Sequence, residues 1–492
     1  MRDVKKVVFA VVLIIIFVLN TGQSGVFTAS AFDPGIEEIY SEAVFMVNLD
    51  TDIAVFRKNE FERVVPASTV KIMTALLVLD HVENLNSFVT VTNAMNTGFV
   101  VNYSDNPNFH GAGVADFAVG QTNLTYKDCL LALMLHSACD AANILAHDVG
   151  GGSIENFITM MNQKAQELGC IGTNFTNPHG LYEAEQYTTA YDMFLITKYV
   201  IDKHGDVFMD IVGRQSHDFP ANARYPDGIT LRNTNRLLQS TSSHFYEHAT
   251  GVKTGSLPYL YNLAIQDFEP GIFGLVSTAT RDGLTYLLVT LDAPFHTDNT
   301  DRGYFAYTDH RALHRWAFNN LEYKLVLSEH DVVAQVPVIN GTEDRVQLRP
   351  VRDFNYILPA RLSQNAVLRE ITLHEQELNA AESPISRGQV LGYVELLLAG
   401  DVLTRIDLVA MSDVEATVQA RIADRFYRFF FGTDKNAAED APRSFPFGLT
   451  FTLILIVLIF FGVILRILNN QREKHRRGIA ARNRNKRRPP PR

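Results

Sequence analysis

Cysteine is scarce in this chain, with only Cys129, Cys139 and Cys170 in 492 residues. An odd count leaves no complete disulfide framework. No His/Cys cluster has zinc spacing, so no metal and no other cofactor is expected. Basic charge is also thin over most of the length. Residues 1–31 hold three Lys/Arg and one Asp, and residues 466–492 hold eleven Lys/Arg and one Glu. Taking these from totals of 44 basic and 54 acidic side chains leaves 30 and 52 in residues 32–465, a net charge of −22. So acidic a body disfavours nucleic acid, or an anionic bilayer, as its main partner.

Long apolar runs are confined to the two ends. Arg2, Lys5 and Lys6 precede an apolar stretch over residues 7–19, and Ala29-Ser30-Ala31 follows it. The run is short for a membrane span and a small-residue site comes after it. Residues 1–31 therefore read as a secretory signal cleaved after Ala31. Residues 445–465 carry no charge, and about twenty such residues span a bilayer as a helix. The basic tail at 466–492 then places the C-terminus in the cytoplasm. The expectation is a single-pass cell-membrane protein with everything between the two segments outside the cell.

Between the ends the patterning changes twice. Residues 32–322 read as an α/β (α+β) domain. A hairpin at 43–47 and 53–56 turns over Asp50-Thr51-Asp52, and strands recur at 250–254, 272–279 and 284–291. Helical patterns, including 127–147 and 154–168, fill the middle. Strands from both ends with helices between them predict an antiparallel sheet packed by helices. An Asn- and Gly-rich connection at 91–122 is expected to shape the rim of any site. Residues 330–412 turn to short alternating runs (332–338, 345–348, 389–397, 402–409) and read as a small all-β sandwich. In residues 413–432, Val414, Val418, Ile422 and Phe426 recur every four positions beside Arg421, Arg425 and Arg428. That suits an amphipathic helix on a membrane surface, with 433–444 as a polar linker into the span.

Three short motifs stand in order: Ser68-Thr69-Val70-Lys71, Ser137-Ala138-Cys139 and Lys253-Thr254-Gly255. A serine hydroxyl holds its proton tightly near neutral pH. To act as a nucleophile it needs a base in hydrogen-bond reach, a proton relay, and donors aimed at the developing oxyanion. Residues i and i+3 share a helix face, so Lys71 can reach Ser68. Pro66-Ala67 and the apolar run 72–79 place Ser68 at a helix start. On a strand, Lys253-Thr254-Gly255 supplies a cation, a hydroxyl and a glycine beside which a substrate backbone can lie. Ser68 as a plain N-cap with a solvated Lys71 would account for the first pair alone, but not for the ordered set. That set is the signature of penicillin-binding proteins and class A β-lactamases.

Longer stretches resemble the low-molecular-mass penicillin-binding proteins, the serine D-alanyl-D-alanine carboxypeptidases. They lie at 65–79, 133–146, 174–193 (NFTNPHGLYEAEQYTTAYDM), 233–238 (NTNRLL) and 251–256, and the likeness extends to about residue 410. The resemblance implies a β-lactamase/DD-peptidase-like domain, then the β-sandwich as a spacer above the membrane. It implies removal of the terminal D-alanine from peptidoglycan stem pentapeptides through an acyl-enzyme, with β-lactams as inhibitors. Ser68 would be the nucleophile, Lys71 its base and Ser137 the proton relay. Lys253 and Thr254 would hold the substrate carboxylate beside Gly255, and the N–H groups of Ser68 and Ser256 would form the oxyanion hole. His179 reads as a loop-structuring residue rather than a base. No Glu-x-x-Leu-Asn motif follows Ser137, which a dedicated β-lactamase would need.

One residue departs from the family pattern: Cys139 stands where asparagine is usual. That amide is expected to donate to the substrate carbonyl and to help hold the lysine, and a thiol is a weaker donor. Losing one such bond costs about 1–3 kcal/mol, roughly ten- to a hundredfold in rate. Two nearby lysines would also draw the thiol toward thiolate. Three alternatives stay open: an endopeptidase or a β-lactamase of the same chemistry, or a weakly active wall-binding protein.

Overall fold

Residues 43–48 (AVFMVN) and 53–58 (IAVFRK) combine apolar side chains at every early position with the turn residues between them, so they pair as a hairpin buried on both faces. The structure, a computed structural model, describes residues 34–36, 38–93, 113–221, 225–262, 267–294, 304–374, 381–431 and 466. The hairpin strands are β1 (Ala43–Asn48) and β2 (Ile53–Lys58). Two short ladders follow, β3 (Phe88–Val89) with β4 (Leu124–Thr125) and β5 (Ser216–Phe219) with β6 (Ile229–Arg232). Then come β7 (Ala249–Asn262), β8 (Asp267–Arg281) and β9 (Leu284–Pro294). The main sheet is antiparallel in the order β2-β1-β9-β8-β7, which brings the two ends of the domain together and leaves β7 at an edge.

Alternation along β1 and β9 divides the core. Phe45, Val47, Leu287 and Val289 face α1 (Lys71–His81), α2 (Tyr126–Leu135), α3 (Cys139–Val149), α4 (Ile154–Glu167) and α5 (Ala190–Val212). Val44, Met46 and Leu288 belong to a second core with Ala306, Leu313 and Ala317 of α6 (Tyr304–Asn320). Helix starts follow local chemistry. The Thr125 hydroxyl accepts the Asp128 N–H while the Asp128 carboxylate takes that of Thr125, and Ser153 and Thr189 cap α4 and α5.

The helical pattern at 127–147 is not one helix. It breaks at His136-Ser137-Ala138, where Ser137 adopts φ +63°, so Cys129 and Cys139 stand on different helices. All three cysteines are free and buried.

Beyond α6 the chain becomes all-β. β10 (Leu321–Leu327) precedes β11 (Ala334–Ile339), β12 (Arg345–Pro350) and β13 (Phe354–Pro359), and pairs with β13. β14 (Leu368–Leu373), β15 (Ala381–Glu382), β16 (Val390–Leu398) and β17 (Asp401–Ala410) complete a six-stranded sheet, ordered β14-β16-β17-β12-β11-β15. The first of these strands begins ahead of residue 330. Leu321 to Leu325 alternate apolar and polar, but Tyr323 and Leu325 are exposed, so the alternation marks no buried face.

The chain divides into two units, residues 1–339 with 343–414, and residues 340–342 with 415–492. The second holds α7 (Val418–Phe431). Val414 is not on this helix; it forms a β-bridge with Ile385, and the helix begins after Thr417, which takes the N–H groups of Ala420 and Arg421. Among the described residues no helix is long and apolar enough to cross a membrane. The expected signal (1–31), linker (433–444) and span (445–465) lie outside the described residues, as does the basic tail except Arg466.

Candidate active site

Ser68 sits on a 3₁₀ turn (Ala67–Val70) that runs directly into α1, and Lys71 opens the helix. The short i,i+3 reach of that turn brings Lys71 Nζ to 2.9 Å from Ser68 Oγ. Ser68 is partly open, whereas Lys71 is fully buried. Two other groups hold the amine: the His179 carbonyl at 2.5 Å and Cys139 Sγ at 3.4 Å. Burial pushes the Lys71 amine below the usual lysine range, although Cys139 and Asp140 oppose the shift. The His179 carbonyl and the Cys139 sulfur thus fix the amine in place against the Ser68 hydroxyl.

Cys139 therefore still holds the lysine, through sulfur as an acceptor, while its own S–H points to the Ser137 carbonyl at 3.8 Å. The thiolate expected from two neighbouring lysines is not favoured. Burial pushes the thiol up, and Lys71 offsets this only in part.

The break between α2 and α3 gives Ser137 its place. Its positive φ turns the chain so that the half-exposed serine and the buried Cys139 sit together at the start of α3. Asp140 secures the break from behind. Its buried carboxylate accepts the N–H groups of Ala115, Phe117 and Ala141, and the Cys139 N–H bonds the Gly113 carbonyl. The described part of the 91–122 connection is thus tied to the second motif. Among the described residues the Ser137 hydroxyl has no hydrogen-bond partner.

The third motif lies on the edge strand β7. Lys253 is buried, and its amine donates to the Thr254 carbonyl at 2.8 Å. Burial, and then the charge of Lys71, push it well below the usual lysine range. At Gly255 the missing side chain also has a packing role. A Cβ there would stand 3.1 Å from the Pro66 carbonyl oxygen and 3.2 Å from Ala67 Cβ, so the glycine lets β7 press against the Ser68 turn. Gly180, at φ +80°, closes the other side: a Cβ would lie 2.0 Å from the Ala67 oxygen. Ser256, next along β7, is partly open.

A match to the family model described as D-alanyl-D-alanine carboxypeptidase covers residues 28–294, the whole of this arrangement. The chain belongs to that family. A second model, for the C-terminal domain of penicillin-binding protein 5, matches residues 321–416 and so takes in β10. The carboxypeptidase DacF of Bacillus subtilis is 26% identical over 76% of this chain and 86% of its own length. The carboxypeptidase of Streptomyces sp. strain K15 is 31% identical over 49% of this chain and 77% of its own. Among solved structures, penicillin-binding protein 5 of Haemophilus influenzae is similar in fold, with a TM-score of 0.55 at 23% identity, over 77% of this chain and 99% of that one.

In this member of the carboxypeptidase family, two contributors escaped the sequence reading. One is the His179 carbonyl. Its loop is fixed by the Asn177 side chain, which accepts from the Gly180 N–H and donates to the Leu181 carbonyl, while Thr74 bonds the Pro178 carbonyl. The His179 ring accepts the Leu181 N–H at Nδ1, and burial and then Lys71 hold it neutral, which fits structure rather than base chemistry. The other is Thr234, whose hydroxyl lies 2.6 Å from that of Thr254. Nothing but its place inside NTNRLL marked it. Among the described residues no group of three or more His, Cys, Asp and Glu side chains could hold a metal.

Proposed function

We propose that the chain removes the terminal D-alanine from peptidoglycan stem pentapeptides through an acyl-enzyme on Ser68, and that β-lactams acylate the same serine. The observation that carries this reading is the buried Lys71 amine, 2.9 Å from Ser68 Oγ and held there by the His179 carbonyl and the Cys139 sulfur. Lys71 takes the Ser68 proton as the oxygen attacks the carbonyl between the two D-alanines. Ser137 hands a proton to the departing D-alanine, and the N–H groups of Ser68 and Ser256 receive the oxyanion. Lys253 and Thr254 bind the free carboxylate, which selects a chain terminus. Water then releases the shortened peptide. Cys139 keeps its hold on Lys71, so only its weak donation to the substrate carbonyl still speaks for a weakly active wall-binding protein.

The catalytic part is proposed to stand outside the cell, joined to the membrane by the apolar segment 445–465, with the basic tail in the cytoplasm. Support comes from the charge asymmetry of the sequence and from α7. Val418, Ile422, Phe426 and Phe429 share one exposed face of that helix, and Arg421, Arg425 and Arg428 lie beside them.

The test is D-alanine release from a soluble stem pentapeptide by the full-length chain, with Ser68→Ala as control. Release is expected from the wild type, and both release and penicillin labelling should vanish in the variant. Either one persisting would remove Ser68 as the nucleophile. Cleavage of cross-linked dimers in preference to the pentapeptide would reassign the enzyme as an endopeptidase.

A further inference from the structure

We propose that Thr234 is a positioning residue of the carboxylate subsite, fixing the Thr254 hydroxyl by donating a hydrogen bond to it. This rests on the carboxypeptidase reading above. The two hydroxyl oxygens are 2.6 Å apart, and the Thr234 hydroxyl has no other hydrogen-bond partner among the described residues. A hydroxyl carries one hydrogen and two lone pairs. Once Thr254 gives its hydrogen to a substrate carboxylate, the bond between the threonines survives only with Thr234 as donor. The pair then forms a directed chain, Thr234 to Thr254 to carboxylate, and each bond polarises the next.

The rest of the segment is built to hold Thr234 still. Its N–H donates to the Leu135 carbonyl at 2.8 Å, two residues before Ser137, and its carbonyl accepts from the buried Tyr307 hydroxyl at 3.1 Å. The preceding Asn233 side chain donates to the Val212 and Arg214 carbonyls and accepts the Asn235 N–H. Thr234 is nevertheless exposed, whereas Thr254 is buried. An exposed side chain on so firmly fixed a backbone is placed for a partner rather than for the core, and a β-branched side chain has few rotamers to lose.

The measurement is the rate at which full-length protein is acylated by benzylpenicillin and by its methyl ester, which lacks the carboxylate. Wild type should prefer the acid. Thr234→Val should reduce that preference by about fivefold or more, the scale of one lost hydrogen bond, while leaving the ester rate unchanged. Thr234→Ser should restore it. Adding Thr234→Val to Thr254→Val should cost nothing further, since the two act as one unit. Equal slowing of acid and ester by Thr234→Val would show a purely structural role and overturn the proposal, as would no effect on either. A wild type acylated by neither compound would instead overturn the functional reading, and this inference with it.

Discussion

At the scale of the residue, the site is organised around one amine. Lys71 is buried, so its neutral form is favoured, and its base form persists to lower pH than a free lysine would allow. The acid limb of kcat/KM for D-alanine release, which reports a group that must be unprotonated, is therefore expected below the usual lysine range. A limb at the ordinary lysine position would exclude Lys71 as the base. Cys139 makes a separate prediction. It retains the contact to Lys71 but offers the substrate carbonyl little, so Cys139→Asn should raise kcat/KM by about tenfold, one neutral hydrogen bond's worth. Unchanged kinetics would mean that sulfur suffices. The approach of Lys71 to Ser68 was legible in the sequence, because residues three apart share a helix face. The His179 carbonyl was not, since a main-chain oxygen leaves no letter in a sequence. The packing role of Gly255 was not legible either, because only the fold reveals that the Ser68 turn occupies the space its side chain would fill.

At the scale of the element, the helices forming one wall of the core are stitched by a buried carboxylate. Asp80, on α1, bonds His204 and Lys203 of α5 at 2.7 and 2.8 Å and pairs with Lys164 of α4 at 3.2 Å. Burial alone would raise its pKa, but these three partners outweigh burial and hold it at about 2, below the ordinary 3.8. A depressed carboxyl stabilises the fold above its unfolded pKa, and that contribution is lost as pH falls from about 4 toward 2. Asp80→Asn should thus cost about 1–2 kcal/mol near neutrality, after allowing for solvent around the more open Lys203. The gap to wild type should close in acid, as urea unfolding at several pH values would show. A gap constant with pH would point to packing instead. The strands of the sheet and the helices near 72–79 and 154–168 followed from periodicity. The break between α2 and α3 did not, because residues 127–147 are helix-compatible throughout. Tertiary bonds from Cys139 and Asp140 to Gly113, Ala115 and Phe117, distant in sequence, hold Ser137 where propensity alone would continue the helix.

At the scale of the molecule, the catalytic sheet and the all-β part draw on a single core. Val44, Leu275 and Leu313 from the former belong to the same buried cluster as Leu321, Tyr356 and Leu408 from the latter. Sequence periodicity marked the change of architecture near 330 but not this continuity, since it registers which residues are apolar and not whom they meet. Leu408→Ala, made inside the β part, should cost about 2–5 kcal/mol and lower the temperature at which penicillin labelling of Ser68 is lost. Labelling that outlasts the β part's melting would show two independent bodies. A shared core also bears on how such a protein can change over time. A part joined by a loose tether can be swapped, lengthened or discarded without cost to its neighbour. Here both parts contribute side chains to one cluster, so a substitution within it acts on the enzyme and its supposed support at once.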